Sequence, residues 1–253
     1  RENTHLLARE GDSRALTPDF RVLDDNEAQL IRQRVLSRTL EDFYDQLDEG
    51  RGLLADTLGA GRDDSRLAAL VLELYDKVQS HADPAGWLAE NRTVWGGWEG
   101  GFDDTPYAAE LLASIRRKGA HWGALLRSAS ARTEGDEALY RGYGEKFLQV
   151  SVAFDALAQV QTWEAARQTE AAVAFPRLST PKGRKDEPGI AALKQVWERC
   201  KAEEKKLAGL LSVSEEEAME DLTAVAPAMV ALLELTEDFA ERYRQEKLRL
   251  NAA

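Results

Sequence analysis

The sequence predicts an all-α protein, an irregular multi-helix bundle. Apolar residues recur at spacings of three and four in almost every long segment, the pattern of a helix with one buried face. Alternating, strand-like character is confined to the short run Phe20–Leu23. Hydrophobic residues make up 43% of the chain, which is enough for a globular core, and no internal repeat indicates a solenoid.

The first predicted helix follows a turn at Thr17-Pro18. Asp24 is a typical N-cap, and Glu27 three positions later predicts a complete capping box. The apolar face of this helix comprises Leu36, Leu40, Phe43 and Leu47. Glycine is a poor helix former, so we expect Gly50 and Gly52 to end the helix.

The next predicted helix starts near Ser65, after a glycine-acidic turn. Its buried face comprises Leu67, Leu70, Val71, Leu74 and Val78. Asp83 should cap a further short helix with Pro84 at its first position. A loop rich in glycine and tryptophan follows at Trp95–Phe102, where the tryptophans either anchor the loop to the core or stack single-stranded bases; the anchor is the commoner case.

Two long helices are predicted in the middle of the chain. Thr105 and Pro106 open the first, whose inward positions are Leu111, Ile115, Trp122 and Leu126. A polar break near residues 132–136 precedes the second. The second has a heptad-like seam formed by Tyr140, Tyr143, Phe147, Val150, Phe154 and Leu157.

A basic, proline-containing loop is predicted at 175–189, because proline removes backbone donors and fixes φ. The following helix buries Leu193, Val196, Cys200, Leu207 and Leu211. Ser214 and Glu217 predict a second capping box. The last helix has a seam formed by Leu222, Val225, Met229, Leu232, Phe239 and Tyr243, and Pro227 should kink or divide it.

The composition limits the kind of partner that the chain can bind. Its formal net charge is −12, whereas a free-standing nucleic-acid binder is usually basic. Contact with DNA must therefore come from a local basic patch or from a neighbouring domain. The single cysteine, Cys200, allows no intramolecular disulfide and is typical of a reducing cytoplasm, and no apolar run is long enough to span a membrane.

The sequence shows no recognisable active site. A nucleotide-hydrolysing motor needs a glycine-rich loop ending in Gly-Lys-Ser/Thr, and the nearest string, Gly144–Phe147, lacks the glycine spacing and the hydroxyl residue. The three histidines lie far apart and form no metal-binding pair. The acidic run from Glu215 to Asp221 suits the first turn of a helix. Cys200 on an apolar face is expected to be a small buried hydrophobe. No cofactor is therefore expected in this chain.

Two basic clusters are candidate phosphate contacts. One lies within a helix and comprises Arg116, Arg117 and Lys118. The other lies on the proline-containing loop and comprises Arg177, Lys182, Arg184 and Lys185. Ordinary solvated surface is the favoured interpretation of the helical cluster, whereas for the loop both interpretations stay open.

Several segments taken together resemble one protein family. They are Gly61–Leu67 with Leu70–Tyr75, Ser80–Leu88, Pro18–Asp24, Phe175–Leu178 with the basic stretch to Asp186, and Phe239–Lys247. Their order resembles the AddA-type subunit of bacterial ATP-dependent helicase-nucleases, which are RecB/UvrD-like enzymes of helicase superfamily 1. The resemblance covers most of residues 15–250 and falls on the helical insertion, subdomain 1B, of the first motor domain.

The resemblance implies a lead-in at 1–14 followed by a 1B-like insertion domain at 15–253. It also implies a parent protein that uses ATP and Mg²⁺, unwinds DNA from an end for recombinational repair, and works with an AddB-type nuclease subunit. For this chain, the leading hypothesis is a non-catalytic arm that positions duplex DNA at the fork. The alternative is a structural or interaction domain that docks the partner subunit without touching DNA. We expect the two ends of an insertion to lie close together.

Overall fold

The computed structural model describes residues 20–58 and 65–252. The predicted lead-in at 1–14, the turn at Thr17-Pro18 and the glycine-acidic turn at 61–64 lie outside these residues. Within the described residues the fold is all-α, as predicted, and the only β feature is an isolated parallel bridge between Arg21 and Ala252.

The N-terminal helices are α1 (Asp25–Asp45), α2 (Glu49–Leu58), α3 (Ser65–Val78) and α4 (Pro84–Trp95). After a 3₁₀ turn at Phe102–Asp104 come α5 (Pro106–Ala131), the short α6 (Glu137–Leu139), a π-helical turn at Tyr140–Gly144, and α7 (Glu145–Leu157). The remaining helices are α8 (Trp163–Ala171), α9 (Pro188–Leu210) and α10 (Glu215–Arg249).

The chain divides into two compact units. Unit 2 is the continuous stretch Trp98–Asp221, and unit 1 comprises the residues before it together with those from Leu222 onward. Helix α10 begins in unit 2 and continues in unit 1. Each unit has its own buried core.

The core of unit 1 joins α1, α2, α3 and α10. Its buried side chains are Ile31, Val35, Leu36, Phe43, Leu54, Leu67, Val71, Ala231, Leu232, Leu235, Phe239 and Tyr243. Phe239 and Tyr243 stack on each other with ring centroids 5.8 Å apart, and Tyr75 meets both rings edge-on. The first and last described residues also lie together in this unit, since the Arg21 amide donates to the Asn251 carbonyl at 3.1 Å. The predicted closeness of the two ends is confirmed for the described residues.

The core of unit 2 is organised by α5 and α7. Gly119 of α5 allows a close approach, because a Cβ at this position would lie only 2.7 Å from both the Ala158 amide nitrogen and the Phe154 carbonyl oxygen. Around this contact are buried Ile115, Leu126, Phe147, Phe154, Leu157, Trp163, Ile190, Trp197 and Cys200.

Several predicted helix ends are wrong by a few residues. Helix α1 ends at Asp45, and Gly50 and Gly52 lie inside α2 rather than ending α1. Leu47 therefore lies outside α1 and is 52% exposed. The basic loop ends before Pro188, which is the first residue of α9.

Two predicted details of the last helix are also corrected. Val225 is 45% exposed rather than part of a buried seam. Pro227 does not divide α10, which is continuous through it. The capping box at Ser214 and Glu217 is confirmed by hydrogen bonds of 3.1 and 2.8 Å, one in each direction.

The cap at the start of α1 is incomplete. Asp24 accepts the Glu27 amide at 2.8 Å, as predicted. The Glu27 carboxylate, however, accepts hydrogen bonds from the Arg21 guanidinium instead of the Asp24 amide. Asp24 is therefore an N-cap without the reciprocal half of the box.

Candidate nucleic-acid interface

The candidate interface is the basic loop, defined as residues 172–187 between α8 and α9 in unit 2. Its centre rests on the π-helical turn. The Ser179 amide donates to the Gly142 carbonyl at 3.1 Å. A Cβ at Gly142 would overlap the Ser179 carbonyl oxygen, so only glycine lets the loop approach this closely. Such π-helical turns often mark functional sites.

Side chains of the same turn hold the loop at a second point. The hydroxyl of the buried Tyr143 lies 2.6 Å from the hydroxyl of Thr180. Lys146, one turn later, donates to the Ser179 hydroxyl at 3.3 Å. The sequence placed Tyr143 in an apolar seam, and its ring is indeed buried, but its hydroxyl also fixes the loop.

The N-terminal end of the loop is anchored by an aromatic contact with α9. The ring of Phe175 meets that of Trp197 edge-on with centroids 5.1 Å apart. The ammonium group of Lys201 lies 6.0 Å from the Phe175 centroid on the loop side of α9. Phe175 therefore serves as an anchor immediately before the first loop cation.

Arg184 closes the other end of the loop. Its guanidinium donates to both carboxylate oxygens of Glu187, at 2.7 and 2.8 Å, and also pairs with Asp136 at the start of α6. Hydrogen bonds from the Leu139 amide and from Arg184 hold the pKa of Asp136 below its usual value. The hydrogen bond from Arg184 likewise lowers the pKa of Glu187. The charge of Arg184 is thus neutralised by two carboxylates, and its role in the structure is to hold the loop.

The other three predicted loop cations are presented to solvent. Arg177, Lys182 and Lys185 are exposed, and none forms an ion pair or hydrogen bond with another described residue. Gly183, between two of them, has a φ of 82°, which turns the backbone in a way that other residues rarely adopt. The fixed loop therefore carries three available positive charges.

The predicted helical cluster on α5 is already engaged within unit 2. Arg116 donates to the Val160 carbonyl at 3.2 Å, Arg117 pairs with Glu110 at 2.9 Å, and Lys118 pairs with Glu203 at 2.7 Å. Among the described residues, no hydrogen bond or ion pair joins this cluster to the basic loop. The two predicted clusters are therefore separate features.

The tryptophans of the glycine-rich loop are both partly buried. Trp95 packs against a small core formed by Val78, Leu88 and Leu233 in unit 1. Trp98, in unit 2, meets Tyr107 edge-on with centroids 6.2 Å apart. These contacts support the anchor interpretation over a free stacking platform.

Cys200 is fully buried, as the sequence predicts. Burial, reinforced by the negative charges of Glu204 and Glu203, raises the pKa of the thiol to about 12. The thiol is therefore protonated at neutral pH and is a poor nucleophile. Within residues 20–58 and 65–252, no group of histidine, cysteine and carboxylate side chains is arranged to hold a metal ion, and no helix is long and apolar enough to cross a membrane.

Comparison with known proteins gives one consistent result. No protein-family model matches the chain. The chain is 29% identical over 243 residues to the ATP-dependent helicase/nuclease AddA protein of Clostridium kluyveri, a match that covers 93% of the chain and 19% of that protein. It is 30% identical over 246 residues to the protein of the same name from Desulforamulus reducens, covering 92% of the chain and 19% of the relative.

A shorter stretch is more similar. Over 101 residues, 40% of the chain and 8% of the relative, it is 34% identical to the corresponding ATP-dependent helicase/nuclease protein of Anoxybacillus flavithermus. The chain spans about a fifth of the length of the curated relatives that match it along most of its length. The chain is therefore a member of the AddA-type helicase/nuclease family, corresponding to one segment of these longer proteins.

Proposed function

We propose that this chain is a non-catalytic arm of an ATP-dependent DNA helicase/nuclease, and that its basic loop contacts the DNA backbone and helps to position duplex DNA at the fork. The observation that carries the proposal is the combination of three exposed cations, Arg177, Lys182 and Lys185, with a loop backbone fixed at both ends. Phosphate contacts position a protein on DNA without reading its sequence.

The fixed loop matters because the rest of the chain opposes DNA binding. With a net charge of −12, the chain gains little from long-range attraction to phosphates. A prearranged loop loses less conformational entropy on binding than a flexible one. We therefore expect the loop to add to an affinity that other parts of the parent protein supply.

The position of the described ends supports an insertion into a host domain. Arg21 and Ala252 are paired through one backbone bridge, so a chain could leave and rejoin a host at neighbouring points. In this proposal the host is the first motor domain of the parent, and the arm is its 1B-like subdomain.

The chemistry of the parent would lie outside this chain. The relatives are named as ATP-dependent helicase/nuclease subunits, and this sequence has no phosphate-binding loop that fits ATP. We therefore place ATP, Mg²⁺ and the helicase and exonuclease motifs in other segments of the parent. A nuclease partner of the AddB type, repair of DNA breaks by recombination, and a cytoplasmic location belong to the same proposal.

The experiment is a salt titration of forked-DNA binding by the parent protein. The triple variant R177A/K182A/K185A should bind more weakly, by a similar factor for all sequences. Its control, R66A/R199A/K205A, removes three charges that are also exposed and form no ion pair with described residues.

The expected size follows from counterion release. Each phosphate contact contributes about 0.9 to the slope of log affinity against log salt, so three contacts contribute about 2.7. Removing them should shrink the affinity ratio between about 50 and 200 mM salt by about fortyfold. A triple variant with the salt slope of its control would refute the proposed contact.

The second candidate function is docking of a partner protein without DNA contact. The net charge of −12 favours it, because an acidic surface avoids DNA. In that case the triple loop variant and its control should bind DNA equally, and assembly with the nuclease partner should depend on other surfaces of the chain.

A further inference from the structure

Unit 1 contains an open cavity of about 600 Å³ between α1 and the C-terminal part of α10. Its lining consists of Val35, Arg38, Arg242, Gln245, Glu246, Leu248 and Arg249. The charged groups of this lining are three arginines and one glutamate, which is unusual on a chain with a net charge of −12. The basic loop is a different feature, since it belongs to unit 2.

Two arginines on α1 are available for a ligand. Arg34 and Arg38 are exposed, lie one helical turn apart, and form no ion pair or hydrogen bond with another described residue. Arg242, in contrast, is already held by Asp42 and by Asp238, the latter at 2.8 Å. The cavity therefore has available positive charge on its α1 side.

The cavity already holds one anion, the carboxylate of Glu246. Its side chain is only 14% exposed and accepts two hydrogen bonds of 2.8 Å from Arg249. The hydrogen bond from Arg249, and then the charges of Arg249, Arg38 and Arg34, lower the pKa of Glu246 although burial acts in the opposite direction. Glu246 therefore occupies part of a site where several guanidinium groups converge.

Guanidinium groups bind carboxylate and phosphate oxygens with the same forked geometry. We propose that this cavity is a second DNA-backbone site, in which a phosphodiester binds Arg34 and Arg38 and competes with Glu246 for Arg249. The inference rests on the proposed function, which supplies the DNA, and it adds a contact surface in unit 1. Val35 and Leu248 provide an apolar wall that suits a sugar, and contacts of this kind are independent of sequence.

The test uses the parent protein and forked DNA under salt titration. R34A/R38A should lower the salt slope by about 1.8, which shrinks the affinity ratio between about 50 and 200 mM salt by about tenfold. The control R66A/R199A removes two exposed arginines that form no ion pair with described residues and should keep the original slope.

E246Q gives the opposite sign. Glutamine keeps the shape of the side chain but removes the competing charge, so Arg249 is released and DNA affinity should rise severalfold. A purely structural role for Glu246 predicts no such gain, and melting curves of each variant report whether it is folded. Equal behaviour of R34A/R38A and its control, or unchanged or weaker binding by E246Q, would overturn the inference.

Two further arms separate the possible failures. Polyglutamate tests an acidic protein segment as the occupant: if R34A/R38A loses polyglutamate binding but keeps its DNA salt slope, the phosphodiester assignment is wrong. R177A/K182A/K185A is measured in the same assay. If it lowers the salt slope while the cavity variants do not, the inference fails and the proposed function stands. If it matches its own control, the proposed function fails on its own terms.

Discussion

The close approach of α5 and α7 makes a quantitative prediction about Gly119. A Cβ there would lie 2.7 Å from the Ala158 nitrogen and the Phe154 oxygen, and 3.0 Å from the Leu157 carbonyl carbon. All three are backbone atoms, so no side chain can rotate away. Ordinary van der Waals contact starts at 3.4 Å, and the two helices must therefore separate by roughly 0.7 Å in Gly119→Ala.

Two effects of opposite sign decide the outcome. Alanine in a helix interior stabilises by about 0.5–1 kcal/mol relative to glycine. Overpacking a close contact costs about 1–3 kcal/mol, and here it also disturbs the surrounding buried side chains. We expect a net loss of about 1–2 kcal/mol in the free energy of unfolding, which for a chain of this size lowers the melting temperature by roughly 2–8 °C.

The assay is thermal unfolding followed by circular dichroism at 222 nm. Gly209→Ala is the matched control, because Gly209 also lies in a helix of unit 2 and a Cβ there meets no atom within 4 Å. The control should be neutral or stabilising by up to about 1 kcal/mol. If Gly119→Ala were as stable as Gly209→Ala, the inferred contact between α5 and α7 would be wrong.

Three further predictions concern unit 2. Gly142→Ala should push the Ser179 carbonyl away and weaken DNA binding by the parent, although it changes no charge; unaltered binding would show that the position of the loop is unimportant. Burial and the neighbouring Glu204 raise the pKa of Glu170, so its contribution to stability is present below its unfolded pKa, about 4.5, and is lost as pH rises through the folded pKa. Glu170→Gln should therefore gain in melting temperature over the unmutated chain between about pH 5 and pH 8, and an unchanged difference would contradict this. Cys200 should react with a thiol reagent at pH 8 only after denaturation, and rapid labelling of the folded chain would show that it is not buried.

Local signals in the sequence were sufficient for much of the fold. Caps at Asp24, Thr105 and Ser214 were found because capping is decided within three or four residues. The buried positions of Phe147, Phe154 and similar residues followed from helical spacing. Glycine positions were less informative, since Gly50 and Gly52 lie inside a helix.

Long-range pairing could not be read from one sequence. Arg184 was grouped with the other loop cations, yet it pairs with Asp136, which lies 48 positions earlier. The same holds for the loop contact at Gly142, although two glycines within a predicted helix, at 142 and 144, are a signal that something approaches closely. The division into two units depends on contacts across the whole chain and was likewise not visible.

The most direct test of the proposed DNA contact is photo-crosslinking from the basic loop. A photo-crosslinking amino acid is placed at Lys182 in the parent protein, and at Lys205 on α9 as an exposed control. With forked DNA bound, we expect a protein–DNA crosslink from position 182 that maps to the backbone near the junction, and none from position 205. A crosslink from position 182 only to protein, or DNA crosslinks of equal yield from both positions, would contradict the proposal that this loop contacts DNA.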